Sequence, residues 1–507
     1  MLFNSNVFVF AFLPVTLIGF FLIGSQDWRR AAMAWLVLAS MFFYGWFRWQ
    51  YLLLFAVLVL FNYYYGIKLA HERRRGRASR VSLAAGLAVN LLVLAYFKYA
   101  NFFIANTNWA FGSHFSPLNI ILPLGISFFT FQKIAYLVDA YRGEAEEYSL
   151  LDFSLFVMYF PQLIAGPIVH HKEMIPQFRR AAILRPSATD LATGLTLFTI
   201  GLVKKILIAD TVVRWSDPVF AAAQAGGAPS LTEAWTGAIA FSFQIYFDFS
   251  GYTDMALGLA LMIGIRLPLN FNSPYKATNI IDFWRRWHMT LSRFLRDYVY
   301  FPLGGNRRGK PRRYLNLMAT MLLGGLWHGA AWTFVAWGGL HGLYLIVNHA
   351  WRALRRGGPE DAGVVEAWAS QIVTFLAVVV AWVFFRAEGF AAAFRMVNGM
   401  IGMNGITAPQ QTLSHLAELL ILLVMVWMLP NSQELLVRFR PTLSAVATGR
   451  LPAPLRLIGT RAGLLSSDGS LALGALAGVT VGFVMFGTLL YQTLQSTTLL
   501  PFIYFQF

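Results

Sequence analysis

Three histidines stand in segments that otherwise consist of apolar, aromatic and small residues. His328 lies in the sequence LGGLWHGAAW, His341 lies in GGLHG, and His288 lies in WRRWHMT. A titratable side chain is expensive to bury in hydrocarbon, so such a residue is a candidate for function. A neutral imidazole accepts a proton near neutral pH, and a general base accelerates a reaction by about 10²–10⁴-fold. Proton transfer is therefore one interpretation of these histidines, and satisfied packing in a protein core is the other.

The segment from Asn279 to Tyr300 predicts an amphipathic helix that carries His288. At about 100° per residue, one face of roughly 120° is apolar. That face holds Trp284, Trp287, His288, Leu291, Phe294, Leu295 and Tyr298. The opposite face holds Asp282, Arg285, Arg286, Arg293, Arg296 and Asp297. A helix at the membrane interface accounts for the arginines and tryptophans, but not for a histidine in the middle of the apolar face.

Polar residues around this segment are candidate substrate contacts. The stretch 268–275 is rich in turn-forming residues and contains Asn270 and Asn272. Arg285, Arg286 and the basic cluster 307–313 suit phosphate groups, because guanidinium groups bind phosphate through paired hydrogen bonds. Contact with lipid headgroups explains the same arginines equally well.

Other catalytic motifs are missing from the sequence. It has no cysteine, no Gly-x-Ser-x-Gly motif and no phosphate-binding loop that ends in Lys-Ser or Lys-Thr. His170 and His171 stand beside Lys172 and Glu173, and we interpret them as interfacial residues. No two histidines are spaced four apart beside a carboxylate, so the spacing predicts no metal site and no permanently bound cofactor.

The composition predicts an all-α polytopic membrane protein. Of 507 residues, 57% are hydrophobic and 12% are charged, whereas soluble domains carry about 25% charged residues. We predict membrane spans at roughly 7–23, 31–47, 51–69, 82–104, 119–138, 188–208, 235–262, 368–386, 413–430 and 471–495, each long enough to cross about 30 Å of hydrocarbon. Segments 153–178 and 314–350 are interrupted by proline or glycine. Interrupted backbone at membrane depth is tolerated only where it is buried in protein or lines a water-filled cavity, so both segments are candidate cavity linings.

The positions of the basic residues determine the predicted orientation of this chain, whose net charge is +17. Basic residues cluster in loops, which indicates the positive-inside rule and not nucleic-acid binding. The loops predicted to be cytoplasmic are 29–30, 71–80, 179–180, 306–313, 352–356 and 438–461. Both termini then lie outside, with the aromatic tail 501–507 at the outer interface. Residues 7–23 lack the features of a signal peptide and are interpreted as the first span.

Four segments resemble the membrane-bound O-acyltransferase (MBOAT) superfamily. They are FNSNVF at 3–8, FPQLIAGPI at 160–168, DFWRRWHMTLS at 282–292 with YFPLGGN at 300–306, and LWHG at 326–329. The third and fourth segments are the most specific, and the similarity extends to about residue 400. The resemblance is greatest to the bacterial branch that O-acetylates exported polysaccharides, typified by the membrane subunit of alginate O-acetyltransferase.

This resemblance implies one integral membrane domain over residues 1–507. Its core would cover about 100–400, with N-terminal helices in 1–99 and C-terminal helices in 401–507. Re-entrant segments and interfacial amphipathic helices would accompany a ring of transmembrane helices, and a central tunnel would join a cytosolic funnel to the outer side. His328 corresponds to the invariant histidine of the family and His288 to its second active-site residue. We expect substrate contacts from Asn270, Asn272, Asp282, Trp284, Arg285 and Trp327.

The implied reaction takes an acetyl group from acetyl-CoA on the cytosolic side of a bacterial inner membrane. An extracytoplasmic partner protein would receive it and decorate the polysaccharide, while lipids surround the helices and no nucleic acid is involved. His328 would deprotonate the acceptor hydroxyl, and His288 would orient or polarise the acetyl carbonyl. Direct transfer requires no enzyme nucleophile. The alternatives are D-alanyl transfer to teichoic acid, proton-coupled transport and a structural scaffold.

Overall fold

The computed structural model describes residues 1–307, 309–354, 363–406, 410–443, 471–495 and 502–503. Within these ranges the chain forms helices and no strand, which confirms the predicted all-α class. Some of the segments used for the orientation lie outside the described residues. These are Arg308, Arg355 and Arg356, most of the loop 438–461, and all of the tail 501–507 except Phe502 and Ile503.

The helices follow one another along the described chain with short connections. Their bounds are α1 Leu13–Gly24, α2 Arg29–Gly45, α3 Gln50–Arg74, α4 Arg80–Leu94, α5 Ala100–Phe111, α6 Ile126–Arg142, α7 Leu150–Met158, α8 Phe160–Leu163, α9 His171–Phe178, α10 Ala188–Val203, α11 Asp210–Gln224, α12 Leu231–Met262, α13 Ile280–Arg286, α14 Met289–Leu295, α15 Gly309–His328, α16 Trp332–Leu354, α17 Val364–Arg386, α18 Phe390–Met400, α19 Gln410–Met428, α20 Ser432–Leu435 and α21 Leu471–Gln495. Single π-helical turns occur at Phe8–Phe12, Ala95–Tyr99, Lys204–Ala209 and Arg296–Tyr300.

The chain divides into two compact units. Unit 1 contains residues 1–203, 251–269 and 432–505, and unit 2 contains residues 204–250, 270–431 and 506–507. Helix α12 belongs to both, because its first part lies in unit 2 and its last part in unit 1. Unit 1 holds the N-terminal helices, and unit 2 holds all three histidines singled out by the sequence.

Four helical runs in the described chain are long and apolar enough to cross a membrane. They are Gln50–Arg74, Arg80–Phe111, Ala188–Gln224 and Val364–Arg386, and they coincide with predicted spans. Shorter apolar helices cover Phe8–Gly24, Ser414–Met428 and Thr480–Leu494. The predicted spans 31–47 and 235–262 are helical as α2 and α12, whereas the span predicted at 119–138 is helical only from Ile126, where α6 begins. The protein is therefore a membrane protein.

The two segments predicted to be interrupted differ in their structure. In 153–178 the helix breaks twice, after α7 and after α8. In 314–350 the glycine pairs lie inside helices, and the break comes between α15 and α16, so these glycines do not interrupt the backbone. A β-carbon on Gly325 would collide with the carbonyl oxygen of Phe334, and one on Gly338 with that of Met321. These two glycines let α15 and α16 pack backbone against backbone, as small residues do in membrane helices.

Glycines also bring α10 close to the last part of α12 within unit 1. A β-carbon on Gly194 would lie 2.6 Å from the carbonyl oxygen of Gly258, and one on Gly201 would lie 2.5 Å from that of Gly251. Both distances are shorter than real β-carbon contacts, and backbone atoms cannot rotate away as a side chain can. Helix α10 can therefore pack here only without side chains at these positions.

We predict that Gly194→Ala destabilises the protein by about 1–3 kcal/mol, because the added methyl group overpacks a backbone contact. The measurement is the thermal unfolding midpoint of the purified protein in detergent. Gly482→Ala in α21 is the matched control, since nothing lies within 4 Å of its added β-carbon. Equal midpoints for the two variants would contradict the packing described for α10.

Candidate active site

His288 occupies a sharp break between two short helices. The predicted continuous helix from Asn279 to Tyr300 is wrong, because α13 ends at Arg286 and α14 begins at Met289. His288 has φ 42° and ψ 53°, which is the left-handed region. A non-glycine residue in a sparsely populated conformation costs about 1–3 kcal/mol and persists only where its surroundings enforce it. Helical periodicity assumes unbroken backbone, so the sequence pattern did not reveal this turn.

The segment 270–272 provides the hydrogen bonds that hold the break. The amide of Met289 donates to the carbonyl oxygen of Asn270 at 2.9 Å. The amide of Asn272 donates to the carbonyl oxygen of Arg286, also at 2.9 Å. These bonds satisfy backbone groups on both sides of His288 that a continuous helix would have satisfied itself. The turn-rich polar segment before α13 is therefore a structural partner of the histidine.

The side chain of Asn270 determines which nitrogen of His288 carries the proton. Its Oδ1 accepts hydrogen bonds from the backbone amide of Thr290 at 3.3 Å and from the hydroxyl of Thr290 at 2.9 Å. Because a backbone N–H can only donate, the Asn270 atom that faces it is the carbonyl oxygen. Nδ1 of His288 lies 3.0 Å from the same oxygen, so Nδ1 carries a hydrogen and donates. The lone pair of neutral His288 is then on Nε2.

His288 is fully buried among aromatic rings. The ring of Phe249 meets it edge-on at 4.9 Å between centroids, and that of Phe271 lies at 6.4 Å. Burial lowers the pKa of the His288 imidazole, because the charged form loses its hydration. The imidazole is thus neutral at physiological pH and able to accept a hydrogen bond or a proton at Nε2.

His328 is the last residue of α15 and lies beside His288. The centroids of the two imidazole rings are 6.5 Å apart. Trp327, Trp337 and Phe385 surround His328 at centroid distances of 4.8, 5.1 and 5.3 Å. The carbonyl end of a helix carries partial negative charge, which stabilises an imidazolium. His328 therefore lies at the negative end of the dipole of α15.

His341 is also fully buried, but its contacts differ from those of the other two histidines. The indole Nε1 of Trp284 donates to its Nδ1 at 3.3 Å, and the ring of Phe283 stacks against it at 5.9 Å. The ring of Trp337 lies at 4.8 Å from His341 and also contacts His328. These contacts place His341 against Trp337, the tryptophan that also contacts His328.

The six predicted substrate contacts fall into two groups. Asn270 and Trp327 contact the histidine pair directly, Trp327 at 6.3 Å from the ring of His288. The others have polar partners elsewhere in unit 2 or face solvent. Asp282 forms an ion pair with Arg286 at 2.9 Å, Trp284 binds His341, Asn272 accepts from Asn431 at 3.0 Å, and Arg285 is exposed.

Several residues that complete the site were not identified from the sequence. They are Phe249, Phe271, Thr290, Trp337 and Phe385. Trp337 stands four residues before His341 on α16, and this spacing is a signal that sequence reasoning could have used. Phe249 and Phe385 come from distant helices, and no local pattern connects them with the histidines.

Comparison with known proteins identifies the family of this chain. The profile of MBOAT, the membrane-bound O-acyltransferase family, matches residues 37–386. The peptidoglycan O-acetyltransferase of Helicobacter pylori is 44% identical over 446 residues, which cover 82% of each chain. The probable alginate O-acetylase of Pseudomonas aeruginosa is 45% identical over 410 residues, which cover 80% of this chain and 75% of the relative. The teichoic acid D-alanyltransferase of Bacillus subtilis is 32% identical over 252 residues, 47% of this chain and 62% of the relative.

The fold and the site define the class of protein. It is an all-helical membrane protein with buried histidines in one aromatic site. The chain belongs to the membrane-bound O-acyltransferase family. It is therefore an enzyme that transfers acyl groups to oxygen, as the resemblance in its motifs predicted.

We predict that Asn270→Ala lowers the free energy of unfolding by about 1–3 kcal/mol, because buried donors of His288 and Thr290 lose their acceptor. The thermal midpoint of the purified protein is the measurement. Asn272→Ala is the matched control, since it removes one half-buried bond to Asn431 and should cost less. A thermal midpoint for Asn270→Ala at or above that of Asn272→Ala would show that the side chain of Asn270 does not stabilise the turn at His288.

Proposed function

We propose that this enzyme transfers an acetyl group from acetyl-CoA to a hydroxyl group, and that the final acceptor is an exported polysaccharide of the cell envelope. The proximity of His288 and His328, with 6.5 Å between ring centroids, carries the proposal. Two relatives that match four-fifths of the chain are named as O-acetylating enzymes, which supports acetyl as the acyl group.

In the proposed reaction His328 is the general base. It takes the proton of the acceptor hydroxyl as the hydroxyl oxygen attacks the carbonyl carbon of the thioester. The carbon–sulfur bond then breaks, and the thiolate of CoA leaves with the proton returned through His328. The position at the carbonyl end of α15 stabilises the imidazolium between the two proton transfers. Because the transfer is direct, a chain without cysteine can perform it.

The proposal gives His288 a different role from the one expected from the sequence. With the proton on Nδ1 and its bond to Asn270, the Nε2 lone pair cannot donate a hydrogen bond to a carbonyl oxygen. In the proposal Nε2 of His288 instead accepts a hydrogen bond from a polar group of the substrate other than the reacting hydroxyl, whose proton goes to His328, and so helps to position the substrate. The amide Nδ2 of Asn270 is buried and has no hydrogen-bond partner among the described residues. This donor is suited to stabilise the developing oxyanion, a role whose loss costs about 10²–10³-fold in rate.

The remaining polar residues suit the donor. Arg285 is exposed and Arg286 is half-buried beside Asp282, so a guanidinium group is available for the phosphates of CoA. Trp284, Trp327 and Asn272 would contact the rest of the substrate. In the proposal the side with the basic loops faces the cytoplasm of a bacterial inner membrane, and both termini are periplasmic, an orientation that the positive-inside rule supports. An extracytoplasmic protein would then receive the acetyl group and pass it to the polymer.

We predict that His328→Gln lowers the rate of acetyl transfer by about 10²–10⁴-fold, because glutamine fills similar space but cannot act as a base. The assay follows release of free CoA from acetyl-CoA by purified protein with acceptor present. His114→Ala, at an exposed position, is the control and should retain the wild-type rate. Wild-type turnover by a folded His328→Gln variant would refute the assigned base.

The choice of acyl donor distinguishes acetyl transfer from the alternative of D-alanyl transfer. We expect the purified wild-type protein to consume acetyl-CoA and to leave a D-alanyl-loaded carrier protein intact. The teichoic acid relative matches less than half of this chain, which is the reason for placing this alternative second. Transfer from the carrier protein without transfer from acetyl-CoA would reverse the assignment. Solute counterflow in proteoliposomes without acyl chemistry would instead favour a transporter.

A further inference from the structure

A second cluster of histidines lies in unit 1, apart from the residues used in the proposed reaction. Asp139 is in the last turn of α6, and His170 and His171 are at the start of α9. One ligand atom from each of the three side chains lies within 4.8 Å of the others. The sequence did not indicate this cluster, because the carboxylate is 32 positions before His171.

A single carboxylate oxygen faces both imidazoles. Oδ2 of Asp139 is 2.6 Å from Nε2 of His170 and 3.0 Å from Nε2 of His171. Metal–nitrogen distances of about 2.0–2.1 Å put neighbouring ligand atoms about 2.9–3.4 Å apart. The pair of Asp139 and His171 already has this spacing. The Asp139–His170 distance needs to open by a few tenths of an ångström, and half-buried His170 is the more exposed member.

His171 has a hydrogen-bond partner at its far ring nitrogen, as metal-binding histidines usually do. Its Nδ1 lies 2.8 Å from the hydroxyl of Tyr148, and both side chains are buried. A hydrogen bond at the far ring nitrogen fixes the orientation and the tautomer of a coordinating imidazole. When Nδ1 donates to the tyrosine oxygen, the lone pair of Nε2 points to Asp139. The rings of Tyr136 and Phe156 pack edge-on against His171 at 5.7 and 6.3 Å.

The exposure of the cluster supplies a route for an ion. The side chains of Asp139 and His171 are 2% and 1% exposed, whereas that of His170 is 22% exposed. The nearby cation of Lys172 is neutralised by Glu144 at 2.7 Å. Arg142 approaches the other carboxylate oxygen, Oδ1, at 4.0 Å. An ion entering past His170 reaches Oδ2 and both Nε2 atoms. Because Nδ1 of His170 accepts from the backbone amide of Lys172 at 3.4 Å, metal binding at its Nε2 requires this long bond to open and the ring proton to move to Nδ1.

We propose that Asp139, His170 and His171 form a binding site for a divalent transition metal, with Zn²⁺ as the expected ion. Two imidazoles and one carboxylate are ligands that Zn²⁺ accepts, and a water molecule from the His170 side supplies the fourth. The metal would tie the end of α6 to the start of α9 within unit 1. Its role is structural, and it takes no part in acyl transfer.

The test is Zn²⁺ binding by the full-length, tag-free protein in detergent. The protein is treated with a chelator, freed from it, and titrated with Zn²⁺ against a chromophoric chelator. We expect one high-affinity Zn²⁺ per chain, and a visible absorption band of tetrahedral or five-coordinate metal when Co²⁺ replaces Zn²⁺. Metal content is measured independently of acetyl transfer, so the outcome does not depend on the proposed function.

Variants identify the ligands. His170→Ala and His171→Ala should each weaken Zn²⁺ binding by more than about 100-fold, and Tyr148→Phe by about 10–100-fold, the range for an outer partner of a ligand. His114→Ala should bind Zn²⁺ as the wild type does, since His114 is exposed and distant in sequence. If His171→Ala fails to fold, His170→Ala and Tyr148→Phe still decide the question. The absence of Zn²⁺ binding by the wild type, or equal binding by the wild type and these variants, overturns the proposal.

Discussion

The hydrogen bonds of Asn270 are the interaction on which the site depends. Its carboxamide oxygen accepts from the ring of His288 and from the amide and hydroxyl of Thr290, while its backbone oxygen accepts from Met289. Together these bonds compensate for the left-handed backbone of His288 and for the loss of helical hydrogen bonds. They also fix the tautomer of the imidazole. Backbone geometry and proton position are therefore determined by the same residue.

Buried polar side chains also bind one another elsewhere in this apolar chain. In unit 1, Asn62 and Asn90 exchange two amide hydrogen bonds between α3 and α4 at 3.0 and 2.8 Å. In unit 2, the ammonium of Lys205 lies 2.7 Å from both Asp210 and Asp248. Buried polar side chains are expensive unless satisfied, and the members of these two sets satisfy one another. Such sets specify which helices pack together where apolar contacts alone discriminate poorly.

The histidine pair differs from these sets because its surroundings are aromatic. Trp327, Trp337 and Phe385 contact His328, and Phe249 and Phe271 contact His288. Rings of this kind exclude water, which strengthens electrostatic interactions within the site. The negative end of α15 at His328 and the oriented amide of Asn270 at His288 provide fixed dipoles next to the two imidazoles. Membership of the membrane-bound O-acyltransferase family gives this arrangement its chemical context.

The sequence by itself determined the helical class, most helix positions and the family, because long apolar runs and compact motifs such as LWHG are local features. It also identified His288, His328 and Asn270 as candidates from residue type and context. Only the tertiary structure decided the turn at His288, the tautomer set by Asn270 and the aromatic walls. It alone brought Asp139 to His170 and His171. Such features depend on hydrogen bonds and ring contacts between segments far apart in the chain, which helical periodicity cannot express.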